Sequence, residues 1–112
     1  MKARSTWPHQ HKRLTVADLK PDAPVHQLEL VVLRVYPQRL VITPSYSGPV
    51  AAACGRDATG VVGLVLWSEQ VQDVRVGDIV RIHSGWCRQR DGALVVSTGK
   101  HGRMAIVSRI KG

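Results

Sequence analysis

The residues that suggest chemistry are flat or cationic. Trp67 closes the run GVVGLVLW, Trp86 follows a glycine in IVRIHSGWCRQ, and Arg81, Arg88 and Arg90 stand close to it in sequence. An indole offers a face for stacking, and a guanidinium forks onto phosphate or lies on a ring. This set recognises a planar, anionic partner and makes no bond. The signatures of catalysis are missing: there is no G-x-S-x-G elbow, P-loop, dinucleotide fingerprint or H-E-x-x-H. Asp57, Asp73, Asp78 and Asp91 sit where turn chemistry already accounts for them. Cys54 and Cys87 have no partner at zinc-ligand spacing, and the five histidines are scattered. No enzyme, cofactor or metal is expected.

Charge points the same way. Sixteen Lys and Arg against eight acids give a formal +8, and from Arg81 onward seven basic residues face the single acid Asp91. Such a field suits a polyanion, nucleic acid before a membrane surface. Eleven of the sixteen cations are Arg, which favours stacking and phosphate recognition over mere solubility. No apolar run is long enough to span a bilayer, and the N-terminus lacks the apolar region of a secretory signal, so an intracellular protein without membrane contact is expected. In a eukaryote that would mean the nucleus, in an archaeon the cytoplasm.

The 112 residues suffice for one domain, and Val leads a hydrophobic set that lacks Phe, which favours strands. Residues 1–13 are basic and acid-free, and read as a flexible arm before a domain over 14–112. LTVADLKPDAP offers one helical turn, with Thr15 and Asp18 spaced as a cap. The first strand is Gln27 to Tyr36, apolar on both faces in its middle. Pro37 to Pro49 holds three prolines and a glycine, and predicts a long connection with a short extended piece at Leu40 to Ile42. Val50 to Asp57 and VVGLVLW make a hairpin about the Asp57–Gly60 turn. One turn of helix fits before Val76, IVRIHSGWCRQ is the fourth strand, and the RDG turn at Arg90–Gly92 leads into Ala93–Gly99 as the fifth. MAIVSRI extends or caps the sheet. Five short strands in this order predict an all-β, five-stranded antiparallel barrel.

These elements must position the tryptophans. Alternation puts Val62, Leu64 and Leu66 on one face and Val61, Gly63, Val65 and Trp67 on the other. If the leucines fill the barrel, Trp67 stands outside beside the space left by Gly63, a stacking platform for a base. Periodicity alone equally allows Trp67 to cover the barrel mouth. Strict alternation places Trp86 with Val80 and Ile82 in the core, whereas a bulge at Gly85 would turn it to the side of Arg81 and His83. With both rings outward, Arg81, Arg88, Arg90, Lys100 and Arg103 would hold phosphates. Arg39, Tyr46 and Tyr36, in or near the first loop, would extend the path, although Tyr46 serves equally well as a loop anchor.

The segments LKPDAP, RDATGVVGLVLW, VRVGDIVRIHSGW and GALVVSTGKHG, in this order from Thr15 to Val107, resemble the single-domain OB-fold single-stranded-DNA-binding proteins of the SOSS complex B-subunit and archaeal short-SSB type. The resemblance implies an OB-fold in which outer-sheet aromatics at Trp67 and Trp86 stack successive bases of single-stranded DNA, in replication or repair. The family's third and fourth aromatic positions fall on Arg90 and Ser97, departures that shift affinity toward ionic contacts. A long recruiting tail like that of many relatives is not expected after Gly112. RNA or tRNA binding by the same surface, or a protein-interaction role within a repair or replication complex, are the alternatives.

Overall fold

The computed structural model describes residues 13–99 and 102–109. Most of the basic arm, with Lys100, lies outside them. The chain forms β1 (Arg13–Leu14), a 3-10 turn (Val16–Asp18), β2 (Ala23–Val35), β3 (Arg39–Thr43), β4 (Tyr46–Asp57), β5 (Gly60–Trp67), α1 (Glu69–Asp73), β6 (Ile79–Arg90), β7 (Ala93–Ser97) and β8 (Arg103–Ser108).

Closure rests on β2, whose thirteen residues serve two neighbours. Residues Ala23–Val31 pair with β6 and Val31–Val35 with β4. Antiparallel β4–β5 and β6–β7 and parallel β5–β7 complete the ring β2-β4-β5-β7-β6. This is the five-stranded barrel read from the sequence, joined in OB-fold order, with the correction that β5 and β7 run parallel where antiparallel neighbours were expected. Its interior is filled by Leu28, Leu30 and Val32 of β2, Val62, Leu64 and Leu66 of β5, Val80 and Ile82 of β6, and Val96 of β7, each at most 4% exposed. Ala51 and Ala53 supply the smaller side chains on β4.

Three strands add to the five. β1 runs parallel to β2, β8 lies along β6, and β3 pairs with β4. The long connection expected over Pro37–Pro49 is therefore corrected to a hairpin, with β4 beginning at Tyr46. Thr43 faces Tyr46 across the Pro44–Ser45 turn, and Thr43 Oγ1 both accepts from Tyr46 N and donates to its carbonyl. The prolines misled because an edge ribbon tolerates missing N–H donors that a central strand does not.

The turns follow their side chains. Thr15 donates through N and Oγ1 to Asp18 Oδ2, as the cap spacing suggests. Asp57 accepts from Thr59 N, Gly60 N and Val16 N, which also ties the 3-10 turn to the hairpin. Asp91 and Gly92, at φ 51° and 83°, form the tight two-residue β6–β7 turn. Asp78 does more than turn chemistry requires. Only 1% exposed, it accepts from Arg75 N and from Nε and Nη2 of Arg109, fastening the end of β8 beside the turn that starts β6.

Candidate nucleic-acid interface

On β5 the leucine face is interior, so Trp67 is on the outer face, half-buried. Its indole Nε1 donates to Ser97 Oγ at 2.7 Å, and its ring meets Tyr46 edge-on, with centroids 5.0 Å apart. The backbone is held as firmly. Trp67 N donates to Gln70 Oε1, and Gln70 Nε2 in turn donates to Thr98 Oγ1. Ser68 takes φ 54°, ψ −123°, a strained conformation for a residue with a side chain. Tyr46 spans this corner: its hydroxyl donates to the Pro49 carbonyl at 2.7 Å and accepts from Ser68 N at 3.0 Å. Gly48 leaves room for it, since a Cβ there would lie 3.0 Å from the Tyr46 hydroxyl. Tyr46 is thus the anchor of the hairpin, and it positions Trp67.

Trp86 also faces outward, 38% exposed, while its neighbours Gly85 and Cys87 are buried. The expected bulge at Gly85 is corrected in its mechanism. β6 stays in one register with β2 from Ile79 to Cys87, and the side-chain parity changes at Ser84, whose φ is 57°. β2 changes parity opposite, between buried Val25 and buried Leu28, so both strands turn over together. Gly85 is required for close packing, because a Cβ there would stand 2.8 Å from Ile82 Cγ2 and 2.9 Å from the Ser97 carbonyl. The space expected beside Gly63 is likewise taken: a Cβ on it would lie 3.2 Å from Val95 Cγ2.

Between the β3–β4 ribbon and the β6–β7 hairpin these groups line one open groove of about 500 Å³. Val65, Val95 and Ser97 form its floor, and Trp67 and Trp86 stand along it. Arg39 reaches it from the ribbon, Arg88 and Arg90 from the opposite hairpin. None of the three makes an ion pair among the described residues. A second recess of about 480 Å³ lies on the other side of Trp67, bounded by Tyr46, Gln70 and Thr98.

Not every predicted site residue converges here. Arg81 is half-buried and donates through Nε and Nη2 to Glu29, beside β8 rather than at the groove. Arg103, exposed on β8 opposite His83, does not line the groove. Lys100 lies outside the described residues. Ser97 is the acceptor that fixes the Trp67 ring. The sequence reading missed Arg34 and Arg56, exposed on the outer face of β2 and β4. For Arg34 the obstacle was local: pairing slips at Leu33, between Val32 and Arg34, and reverses the alternation.

The comparisons with known proteins agree with this architecture. No protein-family model matches the chain. A curated relative, the single-stranded DNA binding protein Ssb of Saccharolobus solfataricus, is 26% identical over 93 residues. That match covers 83% of this chain and 63% of the relative, so the chain spans under two thirds of the relative's length. The second OB-fold domain of replication protein A from Methanococcus maripaludis superposes with a TM-score of 0.71 at 21% identity, over 90% of this chain and 100% of that domain. The replication factor A related protein from Methanobacterium thermoautotrophicum gives 0.72 at 20%, over 91% and 96%. The fold is the OB-fold. In sequence and architecture the chain is similar to single-domain OB-fold single-stranded-DNA-binding proteins of archaeal type.

Proposed function

We propose that the groove binds single-stranded nucleic acid, DNA foremost, with little sequence preference. The observation that carries this reading is the convergence on one groove of two outward indoles and three arginines, Arg39, Arg88 and Arg90, that form no ion pair among the described residues. Stacking on Trp67 and Trp86 is indifferent to base identity because every base has a π-face, and contributes about 1–3 kcal/mol per base. The position between the first-strand loop and the last hairpin is where OB-folds take oligonucleotides. The protein acts by holding strands, without chemistry, and its place is the protection of exposed single strands in replication or repair. The relative's name and the replication protein A neighbours support that direction.

Fluorescence anisotropy of a labelled oligothymidylate tests it. Three phosphate contacts give a log–log salt slope of about −2, and Arg88→Gln should reduce its magnitude by about 0.7. Duplex DNA should compete poorly because its bases are already stacked. Matched RNA in the same competition separates DNA from RNA preference through the 2′-hydroxyl. A salt-independent signal, or equal competition by duplex, would count against the reading.

A further inference from the structure

The outer face carries a second aromatic and cationic cluster, Arg34 and Tyr36, at the C-terminal end of β2. Cross-strand partners present their side chains on one face, so the register traces rows across the sheet. Trp86 faces Ser97, Ser97 faces Val65, and Val65 faces Ala52. The row continues onto β2: Val35 pairs with Ala53, and Tyr36 N donates to the Ala52 carbonyl at 2.8 Å, which sets Tyr36 beside Ala52. Two residues along each strand, on the same face, a parallel row runs from Arg88 through Val95, Gly63 and Cys54 to Arg34. Each row thus begins and ends on a group able to hold a nucleotide, with small or aliphatic residues between. Four strand spacings of about 4.8 Å make a path of roughly 19 Å around the barrel surface from one end of a row to the other.

At the β2 end, the Arg34 guanidinium lies 5.0 Å from the centroid of the Tyr36 ring, and Tyr36 is 41% exposed. The cation covers part of the phenol ring while its charge stays available to solvent. Arg56, exposed on β4 next to this cluster, adds a further positive charge, and no acid occurs in either row.

We propose that Arg34 and Tyr36 form a third nucleotide subsite, where a base stacks on the Tyr36 ring and Arg34 holds the adjoining phosphate. The inference rests on the single-stranded reading of the groove and lengthens its path: the strand crosses all five barrel strands from Trp86 to Tyr36 instead of stopping at the groove.

Oligothymidylates from roughly 4 to about 16 nucleotides, titrated by tryptophan quenching, test this. Wild type, Tyr36→Ala, Tyr36→Phe and Arg34→Gln are compared, with thermal melts as a control for folding. Wild-type affinity should rise with length. Tyr36→Ala should bind the shortest oligomers as wild type does and lose roughly 5- to 100-fold on the longest, at unchanged melting temperature. Tyr36→Phe should keep wild-type affinity, and Arg34→Gln should lose affinity together with part of the salt dependence. Quenching by wild type that Tyr36→Ala matches at every length overturns the subsite and leaves the groove intact. A uniform loss at all lengths with a lowered melting temperature overturns it in favour of a structural role. Absence of quenching in wild type itself overturns the groove reading, and the subsite with it.

Discussion

Tyr46→Phe removes one oxygen from the corner that positions Trp67. That oxygen donates to the Pro49 carbonyl at 2.7 Å, accepts from Ser68 N at 3.0 Å and lies 3.1 Å from Ser68 Oγ. A net hydrogen bond contributes about 1 kcal/mol, so loss of the set suggests roughly 2–3 kcal/mol. Part of it is recovered, because Ser68 N also donates to the Pro49 carbonyl at 3.1 Å, and neither backbone group is left without a partner. The remaining cost is about 1–2 kcal/mol, aggravated by the strained Ser68 backbone that the hydroxyl restrains. For a domain of this size each kcal/mol lowers the melting temperature by about 4–8 °C. Calorimetry of wild type and Tyr46→Phe gives the loss. The edge-on ring contact with Trp67 survives in Phe, so oligonucleotide affinity should change less than about threefold, whereas Tyr46→Ala should weaken both. Wild-type stability in Tyr46→Phe, or a large binding loss with no stability loss, would refute the anchoring role and make the hydroxyl a direct ligand contact.

Three further substitutions test the frame. The hydrogen bond from Arg109 lowers the Asp78 pKa, helped by the Arg75 N–H and opposed by burial. Its folded value is therefore below the unfolded value of about 3.9, so the stabilisation is present above that pH and disappears as pH falls through the folded value. Asp78→Asn should cost about 1–3 kcal/mol at pH 7 and flatten the acid limb of a stability-versus-pH curve; an unchanged acid limb would place the linkage elsewhere. Gly85→Ala places a Cβ 2.8 Å from Ile82 Cγ2 and 2.9 Å from the Ser97 carbonyl, and should destabilise by about 1–3 kcal/mol in urea titration. Gly92→Ala meets nothing within 4 Å and should cost only about 1–2 kcal/mol, from its φ of 83°. Equal tolerance at both positions would contradict the packing described at Gly85.

Much of this was legible because alternation is strict where a strand has one buried face. Val62, Leu64 and Leu66 announce the interior of β5, although alternation alone leaves Trp67 open between the outer face and the barrel mouth. The Asp57 and Asp91 turns were equally plain, since their side chains and the glycines after them specify the reversals. The reading failed where parity changes inside a strand. Ser84 at positive φ and the slip at Leu33 reverse which side chains face out, and neither residue type signals it. This hid Arg34, and it located the turn of Trp86 one residue late. Arg81 and Arg103 were grouped with the site because they are close in sequence, whereas β6 is long enough to leave the groove before Arg81 and to pair there with β8. The extended piece at Leu40–Ile42 is the middle of β3, as expected, whereas its pairing with Tyr46–Val50 was obscured by prolines that an edge strand accommodates.

Intrinsic tryptophan fluorescence during titration with an oligothymidylate tests the central claim most directly. Trp86 is 38% exposed on the groove wall, and Trp67 beside it is half-buried. Wild type should show strong quenching at low salt that weakens at high salt, little change with duplex DNA, and a smaller quench in each of Trp67→Ala and Trp86→Ala. Absence of quenching at low salt in a folded protein would contradict stacking on this face and direct attention to a protein partner there.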